Sequence, residues 1–284
     1  MKIKMSISKL YANRLVWICF LCICLAGCEE GLSMPYKAKH DSVLIQTDVS
    51  KRFLNNVKKT YDNSQKIFYE MIPLENKRED GLKINIFNNY KEFAEYQSKI
   101  SATKSPAGFY VPHRRELVLM YQGSKNTLLT MHHELFHVYF EDRIIHPPAW
   151  LNEGFAQCVA ALEEGFVFSS LALEKHYGVL KEMIKTNALP SIETIVENDW
   201  ENPSALTPRE YALSWSIVAF LRFSGDKEQA NLFIQYLRCL YDKETPSKAF
   251  KKIWPDYNAF NVEWHKFIRK EVKKGAIFKL LPRI

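Results

Sequence analysis

His133-Glu134-Leu135-Phe136-His137 sets two imidazoles four residues apart, with a carboxylate beside the first. On an α-helix that spacing turns both rings to one face, about 40° apart around the axis. Two neutral imidazoles on one face supply two-thirds of a catalytic zinc site. The Glu between them suits a general base acting on a water that the metal activates. The flanks predict a helix. Ser124 and Asn126 offer N-caps, residues 127–142 contain neither Gly nor Pro, and Pro147-Pro148 are expected to stop it. Leu128, Leu129, Met131, Leu135, Phe136, Val138, Tyr139 and Phe140 make it apolar nearly all round, the pattern of a buried helix. Buried His133, Glu134 and His137 need polar partners, and a metal ion would satisfy them.

A catalytic site takes a third protein ligand and leaves one position open for water. Trp150-Leu151-Asn152-Glu153-Gly154-Phe155-Ala156 offers that ligand in Glu153, early on a second helix that Pro148 is expected to open. Gly154 suits a close approach to a neighbouring backbone. Further on, Thr207-Pro208-Arg209-Glu210 reads as a capping box with Pro at the first helical position. It starts a long apolar helix through Tyr211, Trp215 and Leu221.

His-Glu-x-x-His followed by Trp-Leu-Asn-Glu-Gly-Phe-Ala resembles the gluzincin metallopeptidases, the group that holds thermolysin and the aminopeptidase N-like enzymes. The resemblance implies a zincin-like α+β domain and one Zn2+ per chain. It implies His133, His137 and Glu153 as metal ligands, Glu134 as the group that activates water, and Tyr211 as the oxyanion donor. Tyr211 follows Glu153 by 58 residues, a placement similar to that of the aminopeptidase N-like branch. Two departures stand out. Fifteen residues separate His137 from Glu153, fewer than in that branch. The Gly-x-Met-Glu-Asn element that reads a free α-amine there is missing, so an endopeptidase is expected in preference to an aminopeptidase. Ahead of the motif, Ala107-Gly108-Phe109-Tyr110-Val111 and Glu116–Met120 read as a hairpin or edge strand. In gluzincins such a strand borders the cleft and pairs with extended peptide, which would make Gly108, Phe109 and Tyr110 substrate contacts. An ordinary sheet edge is the other reading.

The N-terminus reads as a signal peptide over residues 1–27. Lys2, Lys4, Lys9 and Arg14 precede an apolar core from Leu15 to Ala26, short for a membrane span. Leu25-Ala26-Gly27-Cys28 resembles the bacterial lipobox, which implies lipidation of Cys28. Residues 28–41 are expected to be a tether, and residues 42–284 the catalytic domain, in lobes of about 42–146 and 147–284. The first lobe is predicted as a small mixed sheet with helices, the second as all-helical. The expected location is therefore the cell envelope, on the outer membrane or the outer face of the inner one. The expected partners are a peptide or protein substrate and a membrane.

Formal charge is +7, but four of the positive charges lie in residues 1–28, which hold no acid, so the mature chain is nearer +3. That balance gives no support for nucleic acid binding. Four of six Cys also lie in the leader, and Cys158 and Cys239 sit in apolar helical surroundings, where free thiols are expected. A monomer is expected. The rival function is an envelope-binding lipoprotein that uses the same scaffold without catalysis.

Overall fold

The computed structural model describes residues 34–76, 81–102, 104–160, 162–163, 167–168, 170–198 and 206–274. The leader, Cys28 and the first part of the expected tether lie outside them. The chain is α+β, with one five-stranded mixed sheet near its start and helices thereafter. The described residues from Pro35 onward form one compact unit.

Strands β1 (Tyr36–His40) and β2 (Val43–Thr47) pair antiparallel around a turn in which Asp41 takes φ 51°. The tether was expected to reach residue 41, so β1 is a difference. Its Tyr-Lys-Ala-Lys-His sequence is only half-buried and shows no apolar alternation to announce a strand. Helix α1 (Lys51–Met71) then crosses to β3 (Leu82–Phe87), parallel to β2. Ser50 caps α1 by accepting from the Phe53 N–H at 3.1 Å. Helix α2 (Tyr90–Ile100) leads to β4 (Gly108–Val111), a short 3₁₀ turn (Pro112–Arg114) and β5 (Glu116–Met120). The sheet order is β1-β2-β3-β5-β4, with β5 parallel to β3 and β4 antiparallel at one edge.

The two faces of the sheet carry different cargo because side chains alternate along a strand. Ile45, Ile84, Ile86, Leu117 and Leu119 share one face and join the main core under α1 and α3 (Ser124–Glu141). Asn85, Phe87, Val118 and Phe109 share the other, under α2, where Phe93 packs on Phe87 at 6.2 Å and on Phe109 at 6.0 Å.

Helix α3 starts earlier than its caps predicted. Gly123 (φ 85°) precedes it, Ser124 is its first residue, and the Thr127 hydroxyl bridges the start by accepting from Gln122 N–H and donating to Gly123 C=O, both at 2.9 Å. The helix also ends before the prolines, at Glu141. There Asp142 caps it and pairs with Arg115 from the sheet. The apolar half of α3 is buried from Leu135 to Phe140, and its first half lies partly open.

Pro148 precedes the first residue of α4 (Ala149–Ala160), and its carbonyl accepts from Asn152 N–H at 3.0 Å. Two short paired strands, β6 (Leu162–Glu163) and β7 (Val167–Phe168), follow, so the second lobe is not all-helical as the sequence led us to expect. Then come α5 (Ser170–Lys185), α6 (Ile192–Asn198), α7 (Pro208–Phe223), α8 (Lys227–Tyr241), α9 (Pro246–Ile253) and α10 (Tyr257–Lys274). The capping box expected at Thr207 is present, with both reciprocal bonds made. Cys158 and Cys239 are free, the first buried and the second half-buried.

Candidate metal centre

Helices α3 and α4 pack against each other through aromatic rings. Phe136 lies 4.9 Å from Phe155 and 5.4 Å from Phe68 on α1. Between these two helices His133, His137 and Glu153 converge, with ligand atoms all within 4.8 Å of one another. The His133 and His137 Nε2 atoms lie 3.1 Å apart. Glu153 Oε2 is 3.5 Å from His133 Nε2, and Glu153 Oε1 is 3.5 Å from His137 Nε2. Four ligands arranged tetrahedrally at metal bond lengths of about 2.0–2.1 Å stand roughly 3.4 Å apart. The three edges observed match that spacing.

Chemistry points the same way. Glu153 Oε2 is buried and accepts no hydrogen bond among the described residues, an expensive state for a carboxylate that a cation would relieve. Burial works to raise the Glu153 pKa, but His137 and His133 outweigh it and hold the group below the usual carboxylate range. Burial likewise opposes charge on His133, yet Glu153 and Glu134 push its pKa above the ordinary imidazole value. The pocket is therefore tuned to attract positive charge.

Asn152 is a site residue that sequence reasoning missed. Its Oδ1 lies 2.9 Å from His137 Nδ1. An Nδ1–H donating there leaves the Nε2 lone pair facing Glu153 and His133, the tautomer that a metal needs. The available signal was its place directly before Glu153 on the same helix, facing α3 across their contact.

Tyr211 comes from α7, and Gly154 explains how it arrives. A Cβ on Gly154 would stand 2.2 Å from the Ser214 carbonyl oxygen and 2.9 Å from Val218 Cγ2. Only a glycine lets the backbones of α4 and α7 touch there. Ser214 is one turn from Tyr211, as Gly154 is next to Glu153. Burial, then the charges of Glu153 and Glu134, raise the Tyr211 pKa.

The strand residues separate. Met120 N–H donates to Ala107 C=O at 2.8 Å. By antiparallel alternation the N–H and C=O of 109 and 111 then face β5, and those of 108 and 110 face the open edge. A Cβ on Gly108 would stand 3.1 Å from Thr130 Cγ2, one turn before His133 on α3, so this edge runs beside the pocket. Phe109 does not join it. Its ring is buried on the opposite face of the sheet, against Phe93.

Other histidines have local tasks. His132 Nδ1 meets Ser64 Oγ at 2.7 Å, which ties α3 to α1, and burial lowers its pKa to about 4. His176 stacks on Trp215 with ring centroids 5.9 Å apart and meets Gln157 Oε1 at 3.2 Å. Cys158 is a full turn from Glu153 and packs near the Trp215 carbonyl, outside the ligand cluster. No family model matches this chain, and no curated protein matches it in sequence.

Proposed function

We propose that this protein is a membrane-anchored zinc-dependent peptidase with a zincin-like domain, cutting within peptides in preference to trimming their amino ends. One observation carries the reading: a triangle of His133, His137 and Glu153 ligand atoms with tetrahedral edge lengths. His133, His137 and Glu153 would hold one zinc ion, with one position left for water. Zinc, when bound, supplies a Lewis acid that lowers the pKa of water and polarises a peptide carbonyl.

The chain's own residues do the rest. Glu134 takes a proton from the attacking water and delivers it to the leaving nitrogen, which balances the hydrolysis. Tyr211, kept protonated by burial and two carboxylates, donates its O–H to the carbonyl oxygen as charge develops there. Asn152 holds the His137 ring. The outer edge of β4, where Gly108 N–H donates to Ser105 Oγ at 3.2 Å, would be the place for an extended peptide to add as a strand. Lipidation at Cys28 would keep the protein on the cell envelope.

The test is Glu134→Gln. The variant is expected to retain one zinc per chain by elemental analysis. Its cleavage of a peptide library, read by mass spectrometry, is expected to fall about 10²–10⁴-fold. Unchanged cleavage would overturn the mechanism. A wild-type protein that holds zinc and leaves every peptide intact would overturn the activity.

A further inference from the structure

Charge along the mature chain is lopsided. Residues 257–284 hold seven basic and two acidic side chains, a net of +5, whereas residues 29–256 carry a net of −2. The whole positive excess thus sits at one end, and α10 displays it. Phe260, Trp264, Phe267 and Ile268 bury the inner face of this helix in the core. Val262, Lys266, Arg269, Lys270 and Lys273 are exposed. At 100° per residue they share a wedge of roughly 100°, about 16 Å long. No carboxylate enters that wedge. Glu263 lies at its margin and pairs with Lys266 at 3.3 Å, while Glu271 is buried and pairs with Lys274 at 3.0 Å. Among the described residues, Arg269, Lys270 and Lys273 have no carboxylate within ion-pair distance. Anchoring of the helix depends on its inner face and places no demand on the sign of the outer one.

We propose that the outer face of α10 docks on anionic lipid headgroups. Four cations in one plane fit the phosphates of a bilayer surface, where each adds about fivefold to binding. Val262, 63 % exposed, sits among them. The sequence that follows adds Ile277, Phe278, Leu280, Leu281 and Ile284 with Lys279 and Arg283 and no acid. Basic and apolar side chains together suit the headgroup boundary of a membrane, and a purely electrostatic partner such as nucleic acid has no use for the apolar part. The same cations repel Lys279 and Arg283, so the chain's own end is a poor occupant. This contact is independent of the metal centre and additional to the anchor read at Cys28.

The experiment uses the full-length chain with vesicles of phosphatidylcholine alone, or with about a third phosphatidylglycerol. A water-soluble amine reagent labels exposed lysines, and mass spectrometry reads each site. Labelling at Lys266, Lys270 and Lys273 is expected to fall at least about threefold on the anionic vesicles and to recover at about 1 M salt. Lys91, on α2 and 85 % exposed, serves as the reference. Arg269→Glu is expected to weaken the protection of its neighbours about tenfold or more in lipid concentration. Equal labelling on both vesicles would overturn the proposal whatever the variant does. So would protection by a soluble polyanion that anionic vesicles fail to reproduce.

Discussion

Glu153 and Glu134 sit on different helices yet press on one phenol, and Tyr211 is raised by burial and by both of them. Replacing it by Phe removes the O–H and keeps the ring. Tyr211→Phe is expected to lower kcat about 10²–10³-fold while zinc content and KM hold, in a steady-state assay beside elemental analysis. His176 offers a pH test. Burial, then Lys175, lowers its pKa to about 4 from an ordinary 6.5. The folded state keeps the ring neutral, so the unfolded chain binds more protons between those values. Stability is therefore full above about pH 6.5 and declines as pH falls toward 4, by about 2 kcal/mol near pH 5. Urea unfolding at pH 7 and 5 checks this, and His176→Gln should remove its share of the dependence, leaving the share of His132, whose pKa burial lowers to about 4 as well. The convergence of His133 and His137 was legible in sequence because four residues of helix fix it locally. Asn152 was not, because its bond to His137 depends on how two helices face each other.

Elements reveal where local rules suffice. The bounds of α1, β3, α2 and α8 follow from caps and periodicity: Ser50, Asn89 and Asp226 each accept from N–H groups of the first turn. The ends of α3 broke the pattern. A hydroxyl bridge from Thr127 starts it earlier, and a buried ion pair with Arg115, distant in sequence and so not legible locally, ends it sooner. Gly154 is the element-scale test. Gly154→Ala forces a methyl against the Ser214 carbonyl, so α4 and α7 must part. Overpacking of this kind costs about 1–3 kcal/mol. Thermal unfolding is expected to fall accordingly, and zinc affinity with it, because Glu153 is carried on the displaced helix.

At the scale of the molecule, sheet order was the illegible part. Alternation failed to announce β1, and pairing of β3 with β5 and of β4 at the edge is a long-range choice that no local pattern records. The core runs without a break from Val43 to Ile268 and passes behind the ligand helices. Metal and fold should therefore be linked. Zinc at about a thousand times its Kd adds about 4 kcal/mol to a folded state that binds it. Chelation is expected to lower Tm by roughly 10 °C in calorimetry, with no such shift in Glu153→Gln.

The position of β4 at the margin of the sheet has a consequence of its own. If peptides bind by adding a strand there, recognition rests on amide groups that every residue possesses, and side-chain identity matters little. Such a rail sorts by availability. A segment already stretched out, such as a frayed terminus or a chain that failed to fold, can lie along it at once, while a compact protein must first surrender part of its own structure. Selectivity would then reside in the victim's looseness, and the protein, if it is the peptidase proposed, would act as a gauge of disorder.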